Sequence, residues 1–454
     1  MNLVSQLLLQ LDQIAFPTDA ADHFAAANLR ALFHSKIARS QATGKDGVRI
    51  GPFSERIIEE SEIIERKALN QSYNYTNFKE RLLLRGSNRE PRQISIPTVR
   101  DRLTLRALCN VLHATEPAST GSSPHAVVDA VVQAIREVQD GYSFVRIDVQ
   151  NFFPSIVHKK LDQALNRTSL ETFAKSLCAK AVRTPTGSGD AANARGVPQG
   201  LSISGALASI YMRRFDERMA GRFPYFYRYV DDILCLCPTT DAEATLRSIS
   251  RSLNANGLKA HKLGVSGKTE IFPIDEGVDF LGYRLSREQV SIRKSSYDRM
   301  FRNVLKVITD YRYRQDPERT LFRLNLKISG CKVDNKRRGW MMFFARTEDK
   351  SQLAYLDRFV RDQLLRVGFP VELRNRVKTF IKSYHQIRYN LQDSLYIPNF
   401  DQFDQAQKIE VITSLTNFEE AEVLTWDILK IEQEFSKLIS REIHDLEEDV
   451  GSPS

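Results

Sequence analysis

The sequence has little cysteine and lacks any long apolar run. Its 454 residues include five cysteines. That number is odd and the spacings are wide, so no disulfide framework is implied. No stretch reaches the roughly 18 consecutive apolar residues that cross a bilayer, and we expect no membrane span. The apolar residues 1–11 have no basic residue ahead of them and no small-residue cleavage site, which predicts an amphipathic helix instead of a signal peptide. A cytoplasmic protein is therefore expected.

Basic residues outnumber acidic ones. Lysine and arginine total 65 against 56 aspartates and glutamates, which gives a formal net charge of +9. Excess positive charge favours a polyanionic partner, usually nucleic acid, although a soluble basic enzyme without such a partner has the same charge. The length allows about two or three domains. An apolar content of 42% is enough for full-sized cores.

Two adjacent carboxylates lie between two apolar runs. Residues 228–230 and 233–236 are rich in β-branched, aromatic and aliphatic types, which predicts two short strands. Asp231 and Asp232 would then lie at the tip of a tight hairpin. Adjacent carboxylates repel each other, and a divalent cation that prefers hard oxygen ligands, such as Mg²⁺, removes that penalty. The alternative is an acidic turn in contact with water.

Three further segments carry candidate functional residues. A predicted strand at 142–147 ends at Asp148, just before a helix, where an aspartate is either catalytic or a cap. Residues 79–97 predict a basic β-hairpin, which is either a solvated face or a clamp on triphosphate oxygens. The Gly- and Ser-containing residues 196–205 allow a backbone to approach a ligand closely.

Periodicity predicts the remaining elements. Helices are predicted at 1–40, 53–70, 101–112, 127–138, from about 158, 206–218 and 242–256, and strands at 268–272 and 278–285. Helices are predicted again from about 296, and a further helical region opens at Arg337 and runs to about 441. Near its end, a regular apolar stripe consists of Leu424, Ile428, Ile431, Phe435 and Leu438. The acidic residues 447–454 are expected to be disordered.

The order of these motifs resembles that of bacterial reverse transcriptases of the group II intron, retron and phage-defence kind. The matching motifs are Pro91–Pro97 with Asp101-Arg102 (fingers), Asp148–Phe153 (palm motif A), Pro198-Gln199-Gly200 with Ser204 (motif B), Tyr229–Asp232 (motif C), Lys268-Thr269-Glu270 (motif D) and Phe280–Tyr283 (primer grip). The match covers roughly residues 40–345. Ser204-Gly205 departs from the Ser-Pro that is common in motif B. The helical C-terminal extension is most similar to that of abortive-infection and defence-associated reverse transcriptases.

The resemblance implies an α/β (α+β) right-hand polymerase fold. Fingers and palm with an antiparallel sheet would be followed by an α-helical thumb and a C-terminal helical domain. The expected segments are an N-terminal helical segment at 1–40, fingers at 41–145, palm at 146–290 with a finger insertion near 160–195, thumb-like helices at 291–345, a C-terminal α-helical domain at 346–446 and a disordered tail at 447–454.

The resemblance also implies a reaction and the residues that perform it. The expected reaction is RNA-directed, or non-templated, DNA synthesis by nucleotidyl transfer with two Mg²⁺ ions, for which Mn²⁺ can substitute. Anti-phage defence is the expected setting. The implied metal ligands are Asp148, the Val149 carbonyl, Asp231 and Asp232. Lys268 is the implied proton donor to pyrophosphate. The implied nucleotide-binding residues are Arg85, Arg92, Phe153, Gln199 and Gly200.

The implied partners are an RNA template or an associated non-coding RNA, the DNA product and deoxynucleoside triphosphates. A homo-oligomer is left open. One alternative is a retron or group II intron-type enzyme that copies its own RNA. Another is a catalytically silent RNA-binding scaffold, against which the intact Asp148, Asp231 and Asp232 argue. An RNA-dependent RNA polymerase usually carries Gly-Asp-Asp and a polar residue where Phe153 lies.

Overall fold

Two units, each assembled from two separate stretches of the chain, make up the protein. In the computed structural model, the described residues are 19–38, 40, 42–84, 91–189, 191–265 and 267–450. The first unit takes the chain up to residue 123 together with 141–272. The second takes 124–140 together with everything from 273. Among the described residues, every helix is too short or too polar to span a lipid bilayer.

The elements are numbered along the chain. The α-helices are α1 Ala26–Leu32, α2 Ile50–Glu55, α3 Ile57–Leu69, α4 Val99–Thr115, α5 Pro124–Glu137, α6 Phe152–Ser155, α7 His158–Asn166, α8 Thr172–Arg183, α9 Ser204–Ala220, α10 Ala242–Ala255, α11 Lys294–Arg314, α12 Pro317–Ser329, α13 Trp340–Phe343, α14 Lys350–Arg366, α15 Val371–Arg374, α16 Phe380–Tyr389, α17 Gln405–Leu415, α18 Glu420–Val423 and α19 Ile428–Val450. The strands are β1 Lys79–Leu83, β2 Arg92–Ile96, β3 Tyr142–Asp148, β4 Phe226–Tyr229, β5 Asp232–Pro238, β6 Glu270–Pro273, β7 Val278–Phe280, β8 Tyr283–Leu285, β9 Val290–Ile292, β10 Cys331–Val333 and β11 Lys336–Arg338. Short 3-10 segments lie at Asp22–Phe24, Pro117–Thr120, Thr239–Asp241, Ile274–Glu276 and Phe400–Gln402, and a π-helical segment lies at Phe33–Ile37.

A four-stranded sheet in the order β4-β5-β3-β6 lies at the centre of the first unit. Strand β5 is antiparallel to both β3 and β4. The residues of β3 and β5 are almost all buried, because valine, isoleucine, phenylalanine and cysteine side chains pack on both faces of the sheet. Helices α7, α8 and α9 contribute to the same apolar core. The predicted combination of helices with an antiparallel sheet is therefore confirmed.

The predicted basic hairpin is also confirmed. Strands β1 and β2 are antiparallel, with Lys79 opposite Ile96 and Leu83 opposite Arg92. The Ser95 N–H donates to the Gln199 carbonyl at 2.7 Å, so β2 also contacts the segment that precedes α9. The turn that joins the two strands falls in residues 85–90, outside the described residues.

Asp101, in the first turn of α4, has a structural role. Its carboxylate is buried and accepts hydrogen bonds from the Tyr73 hydroxyl at 2.8 Å, the Thr98 hydroxyl at 2.8 Å and the Thr76 N–H at 3.1 Å. The Thr98 hydroxyl in turn accepts the Asp101 N–H and caps the helix. Asp101 therefore fixes the connection between α3 and β1 onto α4.

The second unit contains the three-stranded antiparallel sheet β7-β8-β9 and the β10-β11 hairpin, with α5 and helices α11 to α19. Trp340 is fully buried, and its ring packs on Phe344 at 4.9 Å and on Phe380 at 5.8 Å between centroids. This packing crosses the predicted boundary between the thumb at 291–345 and the C-terminal domain at 346–446. Both segments fold in one unit, which α5, predicted as part of the fingers, also joins. The names fingers, palm and thumb stay predictions.

The prediction of one strand over 278–285 is wrong. The chain turns back at Leu281-Gly282, where φ is +48° and +85°, and Phe280 pairs with Tyr283. A Cβ on Gly282 would lie 3.1 Å from the Phe344 ring, so the turn packs closely against α13. The prediction of helix from Arg337 also needs correction, because Arg337 and Arg338 belong to β11.

The predicted C-terminal stripe and tail both change. Leu424 and Ile428 are 63% and 64% exposed. The buried apolar positions of α19 are Ile431, Phe435, Ile439 and Leu446. Residues 447–450 continue α19 and are not disordered, because Asp449 is anchored in the unit. Residues 451–454 lie outside the described residues.

The anchoring of Asp449 generates a prediction about stability. Its buried carboxylate accepts hydrogen bonds from Lys327 at 2.8 Å and from Asn303 at 2.6 Å. Asp449→Ala leaves the Lys327 ammonium buried without its counter-ion, so we expect a loss of about 3–5 kcal/mol in the free energy of unfolding. Urea unfolding followed by tryptophan fluorescence measures this loss, because both tryptophans, Trp340 and Trp426, lie in the second unit.

The matched control for Asp449→Ala is Glu448→Ala. The Glu448 side chain is 69% exposed and its contact with His444 spans 3.6 Å. Its removal should change the free energy of unfolding by less than about 0.5 kcal/mol. Equal effects of the two substitutions would show that the end of α19 is not anchored through Asp449.

Candidate active site

The pairing of β3 with β5 brings the predicted carboxylates together. Asp148 ends β3 and lies opposite Asp232, the first residue of β5. Asp231 lies in the turn just before β5, and its carbonyl accepts the Val149 N–H at 3.2 Å. Asp148 is 9% exposed and Asp232 is 2% exposed, while Asp231 is partly exposed. The structure therefore places carboxylates from two separate sequence motifs at one end of one sheet.

The predicted hairpin at 229–232 is confirmed. Tyr229 pairs with Asp232, so Val230 and Asp231 form a two-residue turn. Val230 has φ +53°, in the left-handed region that a β-branched residue rarely adopts. This strained conformation orients the following residue, Asp231, and requires interactions from the surrounding structure to hold it.

The side chains of Lys268 and His261 contact Asp148. The Lys268 ammonium lies 2.6 Å from Oδ2, and the His261 Nε2 atom lies 3.3 Å from Oδ1. The backbone N–H of His261 also donates to the backbone carbonyl of Asp148 at 3.0 Å. Lys268, the predicted proton donor, lies beside the predicted metal ligand Asp148, and its role stays a prediction. His261 was missed, because it lies seven positions before Lys268 in a segment that matches no motif.

Burial is the largest influence on the pKa of both Asp231 and Asp232. Burial raises the pKa of Asp231, the charge of Asp148 raises it further, and Lys268 and Arg92 oppose the shift. Burial, followed by the charge of Asp231, raises the pKa of Asp232 to about 7, although Arg146 lies 4.0 Å away. A cation bound here would favour the ionised carboxylates.

The donor set suits a hard divalent cation. Among the described residues, no group of three or more His, Cys, Asp or Glu side chains is arranged to hold a metal ion. Mg²⁺, however, is usually bound through one or two carboxylates, with water and substrate phosphates as its other ligands. Asp148 and Asp231 provide two such carboxylates. Asp232 is more enclosed and lies beside Arg146, which suits a supporting position.

Of the nucleotide-binding candidates, Arg92 lies near this end of the sheet. Arg92, on β2, is close enough to Asp231 to affect its pKa. Gly200 has φ +104°, and a Cβ there would lie 2.7 Å from the Ser95 carbonyl oxygen. Close packing of Gln199-Gly200 on β2 therefore explains the glycine without a ligand. Arg85 lies outside the described residues.

The two adjacent phenylalanines differ in exposure. They open the short helix α6, after Asn151 at φ +44°. Phe152 is 3% exposed and belongs to the core, whereas Phe153 is partly exposed. Their rings are edge to face, with centroids 5.4 Å apart. Phe153 is therefore the ring of this pair that retains accessible surface, and its contact with the incoming sugar stays a prediction.

Residues 83–285 match the family described as reverse transcriptase (RNA-dependent DNA polymerase). They are a reverse transcriptase domain. The protein YkfC of Escherichia coli strain K12 is 25% identical over 297 residues, which cover 54% of this chain and 76% of YkfC. Telomerase from Candida albicans, solved with the TWJ fragment of telomeric RNA, is similar with a TM-score of 0.42 at 14% identity, over 83% of this chain and 69% of the other.

The reverse transcriptase domain contains Asp148, Asp231, Asp232 and Lys268. Its enzyme class is RNA-directed DNA polymerase. The resemblance to reverse transcriptases and the right-hand polymerase fold that it implied are confirmed. The narrower resemblance to defence-associated enzymes stays a prediction, as do the roles of the individual residues.

The packing of Gly200 generates a prediction with a control in the same segment. Gly200→Ala combines a strained φ with a clash against the Ser95 carbonyl, so we expect a loss of about 1–3 kcal/mol in the free energy of unfolding. Gly205→Ala introduces a Cβ into open space near the start of α9 and should be neutral or stabilising by up to about 1 kcal/mol. Thermal unfolding followed by circular dichroism compares the two variants. Equal stability would contradict close packing of Gly200 on β2.

Proposed function

We propose that the reverse transcriptase domain copies RNA into DNA at the end of the β3-β5 pair. The observation that carries this proposal is the meeting of Asp148 and Asp231 in a domain of this family. Both carboxylates would hold divalent metal ions, two Mg²⁺ in the form we propose, with the Val149 carbonyl and Asp232 assisting. When bound, such ions lower the pKa of the attacking hydroxyl and neutralise the triphosphate.

Lys268 is proposed as the proton donor to the departing pyrophosphate. Its ammonium lies within hydrogen-bond distance of Asp148, so the carboxylate positions a proton at the reaction centre. His261 contacts the other oxygen of the same carboxylate. Together the two contacts fix the orientation of Asp148, and the Lys268 ammonium partly neutralises its charge before substrate binds.

Arg92 is proposed to bind the triphosphate of the incoming deoxynucleotide, with Arg85, Gln199 and Gly200 assisting. A guanidinium binds phosphate oxygens through charge-assisted hydrogen bonds. Its proximity to Asp231 supports this role, because the triphosphate must lie beside the metal-binding carboxylates. The proposed partners are therefore deoxynucleoside triphosphates, an RNA template and the DNA product.

Anti-phage defence is the biological setting that we propose. The long helical second unit, which continues beyond the reverse transcriptase domain, supports it. Deletion of the residues after Phe344 is a poor test of this setting. Phe380 packs on the buried Trp340, so the deletion would expose the core of the second unit. Plating phage on cells that carry the wild type or Asp231→Asn is sharper. Equal phage resistance of both strains would contradict a defence role that depends on DNA synthesis.

The first prediction for this site concerns Asp231. Asp231→Asn should reduce RNA-templated deoxynucleotide incorporation below detection, because an amide does not supply the charge that a metal ion requires. The matched control is Asp241→Asn, the same chemical change at an exposed position after β5, and it should retain full activity. Normal Mg²⁺-dependent incorporation by Asp231→Asn would contradict the metal-binding role.

The second prediction concerns the choice of sugar. Phe153 would pack beneath the sugar of the incoming nucleotide. The 2′-hydroxyl of a ribonucleotide would then lack a hydrogen-bond partner, which weakens ribonucleotide binding by roughly 1–3 kcal/mol. Phe153→Val should therefore reduce the preference for deoxynucleotides by about one to two decades. Phe152→Val is the control, since its buried ring should affect mainly stability. Competition between ribo- and deoxynucleotides in single-nucleotide extension measures the ratio, and an unchanged ratio for Phe153→Val would assign the choice to another residue.

A further inference from the structure

The turn that carries Asp231 is held at both of its carbonyl groups. The Asp231 carbonyl accepts the Val149 N–H at 3.2 Å, which ties it to the end of β3. The Val230 carbonyl accepts a hydrogen bond from Nη1 of Arg228 at 2.7 Å. The first contact is between backbone groups, but the second depends on one side chain, and a substitution can remove it.

Arg228 is braced by a second residue. Its Nε and Nη2 atoms each lie 2.6 Å from a different oxygen of Asp216, on α9. The Arg228 side chain is 11% exposed and that of Asp216 is 33% exposed. Three donors of one planar guanidinium are thus directed at three oxygens, which fixes the plane and position of the group.

The position of this contact matters because Val230 is strained. A non-glycine residue in the left-handed region is strained and persists only where neighbouring groups hold it. Arg228 holds the carbonyl of that same residue. The following residue is Asp231, whose carboxylate must point toward Asp148. A small rotation in the turn would move this carboxylate away.

An ordinary ion pair between β4 and α9 would not need the third contact. Arg228 and Asp216 would join strand to helix equally well with Nη1 in solvent. The guanidinium instead reaches forward two residues to the Val230 carbonyl. Helix α9 starts at Ser204, shortly after the Gln199-Gly200 segment, so the Arg228–Asp216 contact also connects the turn to the helix that follows that segment.

We propose that Arg228 and Asp216 are positioning residues that hold the Val230-Asp231 turn in the conformation that presents the Asp231 carboxylate. The proposal rests on the proposed metal-binding role of Asp231 for its effect on catalysis, but its structural part does not depend on a bound metal. Neither residue touches the reacting atoms. Their contribution is the geometry of the turn.

The direct test is amide hydrogen exchange across residues 226–236 in protein without metal, nucleotide or nucleic acid. Arg228→Gln and Asp216→Asn should each accelerate exchange in the turn by about 10- to 100-fold. Arg228→Lys keeps the charge but not the planar set of three donors, and it should behave like Arg228→Gln. The control is Arg247→Gln, which removes an exposed pair with Glu243 on α10 and should leave the turn unchanged.

Kinetics supply the second readout. Arg228→Gln and Asp216→Asn should lower kcat by about 10- to 100-fold and leave the nucleotide KM almost unchanged, because the loss concerns the Asp231 geometry and not nucleotide binding. The double variant should lose no more than either single one, since the two residues act as one unit. If Arg228→Gln does not fold, Asp216→Asn, which retains the guanidinium, gives the same comparison.

The outcomes separate this proposal from the proposed function. Faster exchange in the turn in all three Arg228 and Asp216 variants supports the brace, even if the wild type made no DNA. Wild-type DNA synthesis together with unchanged exchange in the variants would overturn the brace and leave the proposed function intact. Full rescue of exchange and kcat by Arg228→Lys would also overturn it, because charge alone would then be sufficient.

Discussion

The antiparallel register of β3 and β5 is the constraint on which the site depends. It sets Asp148 opposite Asp232 and places the turn with Asp231 beside Val149. A slip of one residue would move every side chain of a strand to the opposite face of the sheet. The buried valine, isoleucine, phenylalanine and cysteine side chains of the two strands penalise such a slip. The same apolar residues that build the core therefore also fix the distance between the carboxylates.

Concentrating negative charge at one end of a sheet requires compensation. Lys268 and His261 contact Asp148, Arg146 lies beside Asp232, and Arg92 lies close enough to Asp231 to oppose its pKa shift. The cationic side chains of Lys268, Arg146 and Arg92 stabilise the carboxylates in the absence of metal. Burial nevertheless raises the pKa of Asp231 and Asp232. The site therefore retains a preference for added positive charge, which is the property that a metal-dependent polymerase needs.

Local patterns predicted the elements that depend on local chemistry. The 229–232 hairpin, the basic β1-β2 hairpin and the strand that ends at Asp148 follow from alternating apolar residues and turn formers. Leu281-Gly282 was missed because its apolar neighbours suit a continuous strand, and only packing against Phe344 shows the turn. The tail from 447 was predicted to be disordered because it is acidic. In the structure, Lys327 and Asn303, more than a hundred residues earlier, bind Asp449.

The residues that support the site could be identified only from the three-dimensional structure. His261 matches no motif, and its distance to Asp148 depends on how residues 258–261 return to the end of β3. Arg228 stood within the sequence of the hairpin, and a charge in a half-buried strand implies a counter-ion. Its partner Asp216 lies on a helix that precedes β4, so sequence spacing gave no reason to choose it among the acidic residues. Long-range pairs of this kind follow from tertiary structure.

The most direct test of RNA-directed DNA synthesis at this site is to sequence the nucleic acid that the purified protein synthesises. A defined RNA template with an annealed primer, all four deoxynucleotides and Mg²⁺ would be incubated with the wild type, and the extended strand would be sequenced. We expect a DNA strand complementary to the RNA template. A product made of ribonucleotides, or a strand unrelated to the template, would contradict the assignment of the Asp148-Asp231 site to RNA-directed DNA synthesis.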